Sequence, residues 1–194
     1  MNTEKVLCIP RAALQAVFDL SLPHWPLEVA TLNALPFGYV ERQLAENDFT
    51  RKQLIPYALV FDALGQLFTY QRHGSEARLV GKLSAGIGGH VNEQDRGETL
   101  AARLLAALLR EMREEIGLVP KPDQIRLLGM INEDTSAVGR CHIGVVFRVS
   151  LDESLPASFA GEIAKPVWQM PSQLELAHFE LWSALAIGLS GMED

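Results

Sequence analysis

The run Glu98–Ile116 constrains this chain more than any other segment. Leu100, Leu104, Leu108 and Met112 recur at four-residue steps, so an α-helix gathers them into one apolar stripe. Gly117 stands where a left-handed residue closes a helix, and Pro120 and Pro122 forbid its continuation. Such a stripe must be buried against a second layer, and the flanking sequence supplies strands for one. Ile55–Phe61 and Leu67–Tyr70, split by the turn Asp62-Ala63-Leu64-Gly65, read as a hairpin. Arg78–Gly89 holds four glycines, as expected of a strand running into a tight loop. Ile125–Ile131 and His142–Val149 read as further strands and Pro166–Met170 as a short one, with one or two helices closing the chain over Ser172–Leu189. Helices and strands mix without strict alternation. The expected class is therefore α+β, helices layered on a mixed sheet, rather than a doubly wound one.

The N-terminal quarter is less regular. Val6–Ile9 suits a strand, Pro10 the start of a helix, and Arg11–Leu20 has a helical pattern at Leu14, Val17 and Phe18. Pro23, Pro26 and Pro36 make Ser21–Gly38 read as irregular chain on the surface. We expect residues 1–52 to be an extension packed on a domain of residues 53–194. At 48% apolar and 21% charged, the 194 residues contain enough for a real core.

Seventeen basic against twenty-four acidic residues give a net charge of −7, which argues against bulk nucleic-acid binding. A small phosphate-bearing ligand stays open, because a bound divalent cation reverses the local field. Cys8 and Cys141 have no metal-ligand spacing and read as buried thiols. No stretch approaches the roughly 18 apolar residues of a membrane span, and Asn2-Thr3-Glu4-Lys5 does not open a targeting signal. The expectation is a soluble, cytoplasmic protein that does not bind membranes.

The chemistry-bearing segment is Arg110-Glu111-Met112-Arg113-Glu114-Glu115-Ile116-Gly117-Leu118. Glu111, Glu114 and Glu115 stand at i, i+3 and i+4 and share one side of the helix. Like charges at these spacings cost a few tenths of a kcal/mol per pair, and the helix C-terminus disfavours anions. Three hard oxygen ligands together suit Mg²⁺ or Mn²⁺. For an isolated E-x-x-E-E the blander reading, a solvated acidic face with helix ion pairs to Arg110 and Arg113, is the commoner one.

The company these glutamates keep tips the balance. Arg110, Glu111, Met112, Glu114, Glu115, Gly117 and Leu118 fill every fixed position in the second half of the Nudix box, so the segment resembles the Nudix hydrolases. Gly88-Gly89-His90-Val91 and Gly97-Glu98-Thr99 resemble its first half, and the order of elements over residues 53–190 also fits. Two departures stand out. Eight residues, not five, separate Gly89 from Glu98, and eleven, not seven, separate Glu98 from Arg110. The four extra residues add about one helical turn.

The resemblance implies a Nudix-like α/β/α sandwich with a mixed sheet. It further implies Mg²⁺- or Mn²⁺-dependent hydrolysis of a small diphosphate compound, such as a nucleoside diphosphate linked to another moiety. It carries over Glu111, Glu114 and Glu115 as metal ligands, with the Gly88 carbonyl, and Arg110 as the group that orients the carboxylates. The general base would be a box glutamate, Glu111 or Glu114, or a later carboxylate. Glu162 is the first candidate there, with Glu133 and Asp134 behind it. Arg72, Arg78, Lys82 and His90 are candidates for contact with substrate phosphates, against ordinary surface roles for each. His142, Trp168 and Trp182 read as structural. The alternative is a non-catalytic Nudix-like binding or regulatory domain, and a diphosphate isomerase is a third reading without a supporting pattern. Oligomeric state is open, with a homodimer as one option.

Overall fold

The computed structural model describes residues 4–72, 82–152 and 163–191. In chain order its elements are β1 (Lys5–Pro10), α1 (Arg11–Gln15), β2 (His24–Pro26), α2 (Val29–Asn33), β3 (Gly38–Glu41) and α3 (Arg42–Ala45). Next come β4 (Arg51–Phe61), β5 (Leu67–Arg72), β6 (Leu83–Ser84), β7 (Gly86–Gly88) and α4 (Leu100–Ile116). The chain finishes with β8 (Ile125–Ile131), α5 (Ala137–Cys141), β9 (His142–Ser150), β10 (Ile163–Gln169) and α6 (Leu181–Ser190).

Strand β4 organises the rest. It pairs in parallel with β9, from Gln53↔His142 to Phe61↔Ser150, and antiparallel with β7 through Tyr57↔Gly88 and Leu59↔Gly86. The main path of the open, mixed sheet is β10-β5-β4-β9-β8-β2. Because alternate residues of a strand face opposite ways, the apolar run of β4 serves two cores. Leu54, Ala58 and Val60 join Leu104, Leu108 and Met112 of α4, whereas Tyr57, Leu59 and Phe61 join Ala186, Ile187 and Leu189 of α6. The result is a helix–sheet–helix sandwich. A strand covered on both faces must be continuously apolar, which explains Leu54–Phe61.

Helix α4 begins two residues past the acidic Glu98. Thr99 is the N-cap, its side chain accepting from Ala102 N–H, and Gly117 closes the other end at φ 69°. Leu100, Leu104, Leu108, Met112 and Ile116 are all buried, each contributing roughly 1.5–3 kcal/mol of apolar burial.

Two N-terminal expectations need correction. The helix at Arg11 stops at Gln15 rather than Leu20. The carboxylate of Asp19 takes the Ser21 N–H and hydroxyl, a local turn that competes with helix continuation. Ser21–Gly38 is not simply irregular, since it contains β2 and α2. Strand β2 pairs with β8 through His24↔Ile131 and Pro26↔Gly129. It ends the main path of the sheet, and at an edge a proline's missing N–H costs no ladder bond. Residues before 53 thus contribute strands to the central sheet, β1 on β4 and β2 on β8.

Candidate active site

The site gathers where β7 ends against α4. Glycine is required at this crossing for two separate reasons. A Cβ on Gly88 would stand 2.0 Å from the Pro56 carbonyl oxygen, and one on Gly89 would stand 2.3 Å from Glu111 Oε1. The backbone after β7 therefore lies directly against the Glu111 carboxylate.

Arg110 is the hub. Its Nε and Nη2 fork onto Asp95 Oδ1 and Oδ2, both at 2.9 Å, and Nη2 also donates to the His90 carbonyl at 2.8 Å. Nη1 donates to Glu111 Oε1 at 2.6 Å and lies 3.4 Å from Glu114 Oε2. One guanidinium thus ties the glycine loop, a buried aspartate and two box glutamates together. These hydrogen bonds, led by those to Asp95, raise the Arg110 pKa above its ordinary value despite burial. Burial foremost raises the Glu111 pKa, against the lowering effect of Arg110.

Asp95 was not singled out from sequence, although the signal was there. Five residues separate Gly89 from Asp95, the spacing the Nudix box assigns to its first acid. The chain then carries fourteen residues rather than seven before Arg110. Seven extra residues are nearly two full helical turns, about 700° of rotation, so Arg110 keeps its facing to within about 20°. The departure from the box is one insertion and one shorter acid. Glu98 is exposed, precedes the helix, and is not among the partners of Arg110.

A cavity of about 170 Å³ opens beside this cluster. Ile55 and Tyr57 of β4 and Gly86 and Gly88 of β7 line it together with Glu115, Glu133, His142, Glu180 and Trp182. Two of its acids, Glu133 and Glu180, are each held by several hydrogen-bond donors. Glu133 accepts from the N–H and hydroxyl of both Thr135 and Ser136. Burial opposes its ionisation, but these bonds leave its pKa below the ordinary value. Glu180 caps α6, accepting from Trp182 N, Ser183 N, Ser183 Oγ and Tyr57 Oη. Sequence reasoning passed over Glu180 and Tyr57, because nothing local marks two residues so far apart as partners.

The other sequence candidates fall in different places. Asp134 binds Arg11 and the fully buried Lys52, the latter at 2.8 Å, and is not part of the cavity wall. Lys82 Nζ donates to the Ala177 carbonyl at 2.8 Å on the exposed surface. Arg72 lies in β5, opposite Ile163. Arg78 and Glu162 lie outside the described residues. His90 packs on His142, and burial foremost lowers its pKa to about 3, so it is a neutral ring at neutral pH. Trp168 packs on Phe68 with ring centroids 5.4 Å apart, whereas Trp182 reaches the cavity. Among the described residues no helix is long and apolar enough to cross a membrane.

Residues 52–186 match the NUDIX domain family model. The chain belongs to the Nudix family. This Nudix chain is 39% identical over 110 residues to Protein YmaB of Bacillus subtilis (strain 168), covering 55% of itself and 53% of YmaB. It thus spans about half the length of that relative. Among solved structures it resembles Tm1382, which carries a provisional Nudix hydrolase assignment, with a TM-score of 0.77 and 26% identity. That likeness covers 96% of this chain and 98% of Tm1382, so the N-terminal strands belong to the shared architecture. DR0079 of Deinococcus radiodurans shares the fold at a TM-score of 0.51 and 21% identity, over 73% of this chain and 83% of that one.

Proposed function

We propose that this Nudix chain hydrolyses a small diphosphate compound, a nucleoside diphosphate linked to another moiety or a similar phosphoanhydride, with Mg²⁺ or Mn²⁺ as cofactor. Glu111, Glu114 and Glu115, with the Gly88 carbonyl, are the residues that would hold the cation. The supporting observation is electrostatic. Asp95, Glu111 and Glu114 share a single guanidinium, and Glu115 lies one residue further on at the cavity wall. Three carboxylates, Asp95, Glu111 and Glu114, on one guanidinium leave an excess of negative charge beside a half-buried carboxylate, which a divalent cation would offset. Among the described residues no three carboxylate, imidazole or thiol groups stand close enough together to hold a metal ion as placed, so the ligands must close in around it. Glu114, with 58% of its side chain exposed, is the ligand with room to turn inward.

When bound, the cation would neutralise phosphate charge and lower the pKa of the attacking water. The chain's own contribution is positioning. Arg110 holds Glu111 and Glu114 in register with the Gly88-Gly89 loop, and Tyr57 and Trp182 offer an aromatic wall for the moiety beyond the diphosphate. Because Glu133 and Glu180 already accept four hydrogen bonds each, the general base falls to a box glutamate or to Glu162. Residues 1–52 are read as an extension packed on the 53–194 domain, and the pairing of β1 with β4 and of β2 with β8 is what would hold it there.

The test is turnover of a panel of diphosphate compounds with Mg²⁺ by the wild type and by Glu114→Gln. We expect hydrolysis by the wild type and a large loss in the variant. Equal rates, or tight ligand binding without turnover, would move the assignment to a non-catalytic binding domain.

A further inference from the structure

His142, on the wall of the active-site cavity, also meets His90 in a neighbouring pocket lined by Arg42, Glu46 and Cys141, and neither ring has a part in the hydrolytic reading. His90 follows the glycine pair and His142 opens β9, fifty-two positions apart, yet their Nε2 atoms lie 3.2 Å from one another. The rings meet at 65° with centroids 5.3 Å apart, so they are not stacked, and the two Nε2 atoms lie at their contact. His142 Nδ1 is 2.7 Å from the Val138 carbonyl. A carbonyl only accepts, so Nδ1 carries the proton of that ring and Nε2 presents a bare lone pair. In the metal-free protein His90 Nε2–H must then be the donor to His142.

The geometry points to a second cation site: we propose that His90 and His142 bind a borderline transition-metal ion, Zn²⁺ or its Ni²⁺ and Cu²⁺ neighbours, through their Nε2 atoms. Two nitrogens each about 2.0–2.1 Å from a tetrahedral ion lie about 3.3–3.4 Å from one another, close to the separation already present. The His142–Val138 bond is the outer hydrogen bond that fixes ring orientation in imidazole metal sites. On binding, the His90 proton moves from Nε2 to Nδ1 through solvent, so charge on the ring is unchanged.

Surroundings define what kind of site this is. Cys141 Sγ lies 3.4 and 3.3 Å from the Ala137 and Val138 carbonyls, within its own short helix. Glu46 shares this neighbouring pocket with both rings but accepts from Arg42 at 3.1 Å, and Arg42 is further paired with Glu4. Among the described residues no third protein ligand joins the two imidazoles. The site is therefore an open two-ligand one, with water from the adjoining cavity completing coordination. Its ligands also separate it from the carboxylates: imidazole nitrogen suits Zn²⁺, Ni²⁺ and Cu²⁺, and oxygen clusters suit Mg²⁺ and Mn²⁺. His142 lines the cavity of Glu115 and Gly88 as well, so the ion would sit in the active-site wall.

The test is Zn²⁺ titration in competition with a chromophoric chelator, with excess Mg²⁺ present to occupy the carboxylates. The wild type should hold one Zn²⁺ per chain. His90→Gln and His142→Gln should each weaken binding by about tenfold or more, while Glu114→Gln should leave it unchanged. No Zn²⁺ binding by the wild type, or an equal loss in Glu114→Gln, would overturn the assignment. A variant-free readout guards against misfolding. In ¹H–¹⁵N spectra of the wild type, Zn²⁺ should shift the Nε2 resonances of two of the five histidines, and a spectrum without those shifts contradicts the site.

Discussion

The Asp95–Arg110 fork can be tested by removing one arm. Asp95→Ala leaves the guanidinium without its two-point anchor, with 19% of the Arg110 side chain exposed and Asp95 itself only 4% exposed. Breaking a buried pair by deleting one partner costs about 3–5 kcal/mol, and Arg110's partial exposure together with its remaining bonds places the loss near the lower end, about 3 kcal/mol. For a domain of this size each kcal/mol moves Tm by roughly 2–4 °C, so Tm should fall by roughly 6–12 °C. Arg110 also holds Glu111, Glu114 and the His90 carbonyl. A shift of about 1 Å at those groups should cost on the order of 10²-fold in kcat/KM. The assay is urea unfolding with steady-state kinetics on Asp95→Ala, Arg110→Ala and the double variant. If Asp95 acts through Arg110, the two losses will be non-additive by at least about 1 kcal/mol. A loss under about 1 kcal/mol in Asp95→Ala, or strict additivity, would refute the hub.

Other outcomes follow from the same geometry. Gly89→Ala should keep most of the stability but displace the Glu111 carboxylate that stands 2.3 Å from the added carbon, weakening Mn²⁺ binding. Gly88→Ala meets the rigid Pro56 carbonyl at 2.0 Å instead and should unfold at markedly lower temperature, so thermal melts and metal titrations will separate the two. The pKa of Asp134 is lowered: burial opposes ionisation, but hydrogen bonds from Arg11 and Lys52 outweigh it. A folded pKa below the unfolded 3.8 means the contribution is present above that value and lost as pH falls through the folded one. Asp134→Asn should therefore destabilise the chain at neutral pH yet cost nothing in strong acid, as measured by unfolding midpoints across the acid range.

How far the sequence speaks for the fold depends on the range of the interactions involved. Helix α4 and its Gly117 cap were legible because their periodicity and cap are local, and the hairpin of β4 and β5 because its turn residues sit between two apolar runs. Strand β2 was hidden, since Pro23 and Pro26 argue against a strand until one knows that it lies at an edge, on β8. Asp95 was hidden for a different reason. Its partner stands fifteen residues on, past an insertion of nearly two turns, and only the fork in space shows which acid belongs to Arg110. The His90–His142 contact joins a loop to a strand across fifty-two positions, a pairing no local pattern announces.

Whether the glutamates of α4 hold a divalent cation is read most directly from Mn²⁺ binding followed by electron paramagnetic resonance. The wild type should deplete free Mn²⁺ with a defined stoichiometry, and Glu111→Gln and Glu114→Gln should each weaken binding by about tenfold or more while remaining folded. Equal Mn²⁺ affinity in the wild type and both folded variants would rule out Glu111 and Glu114 as ligands.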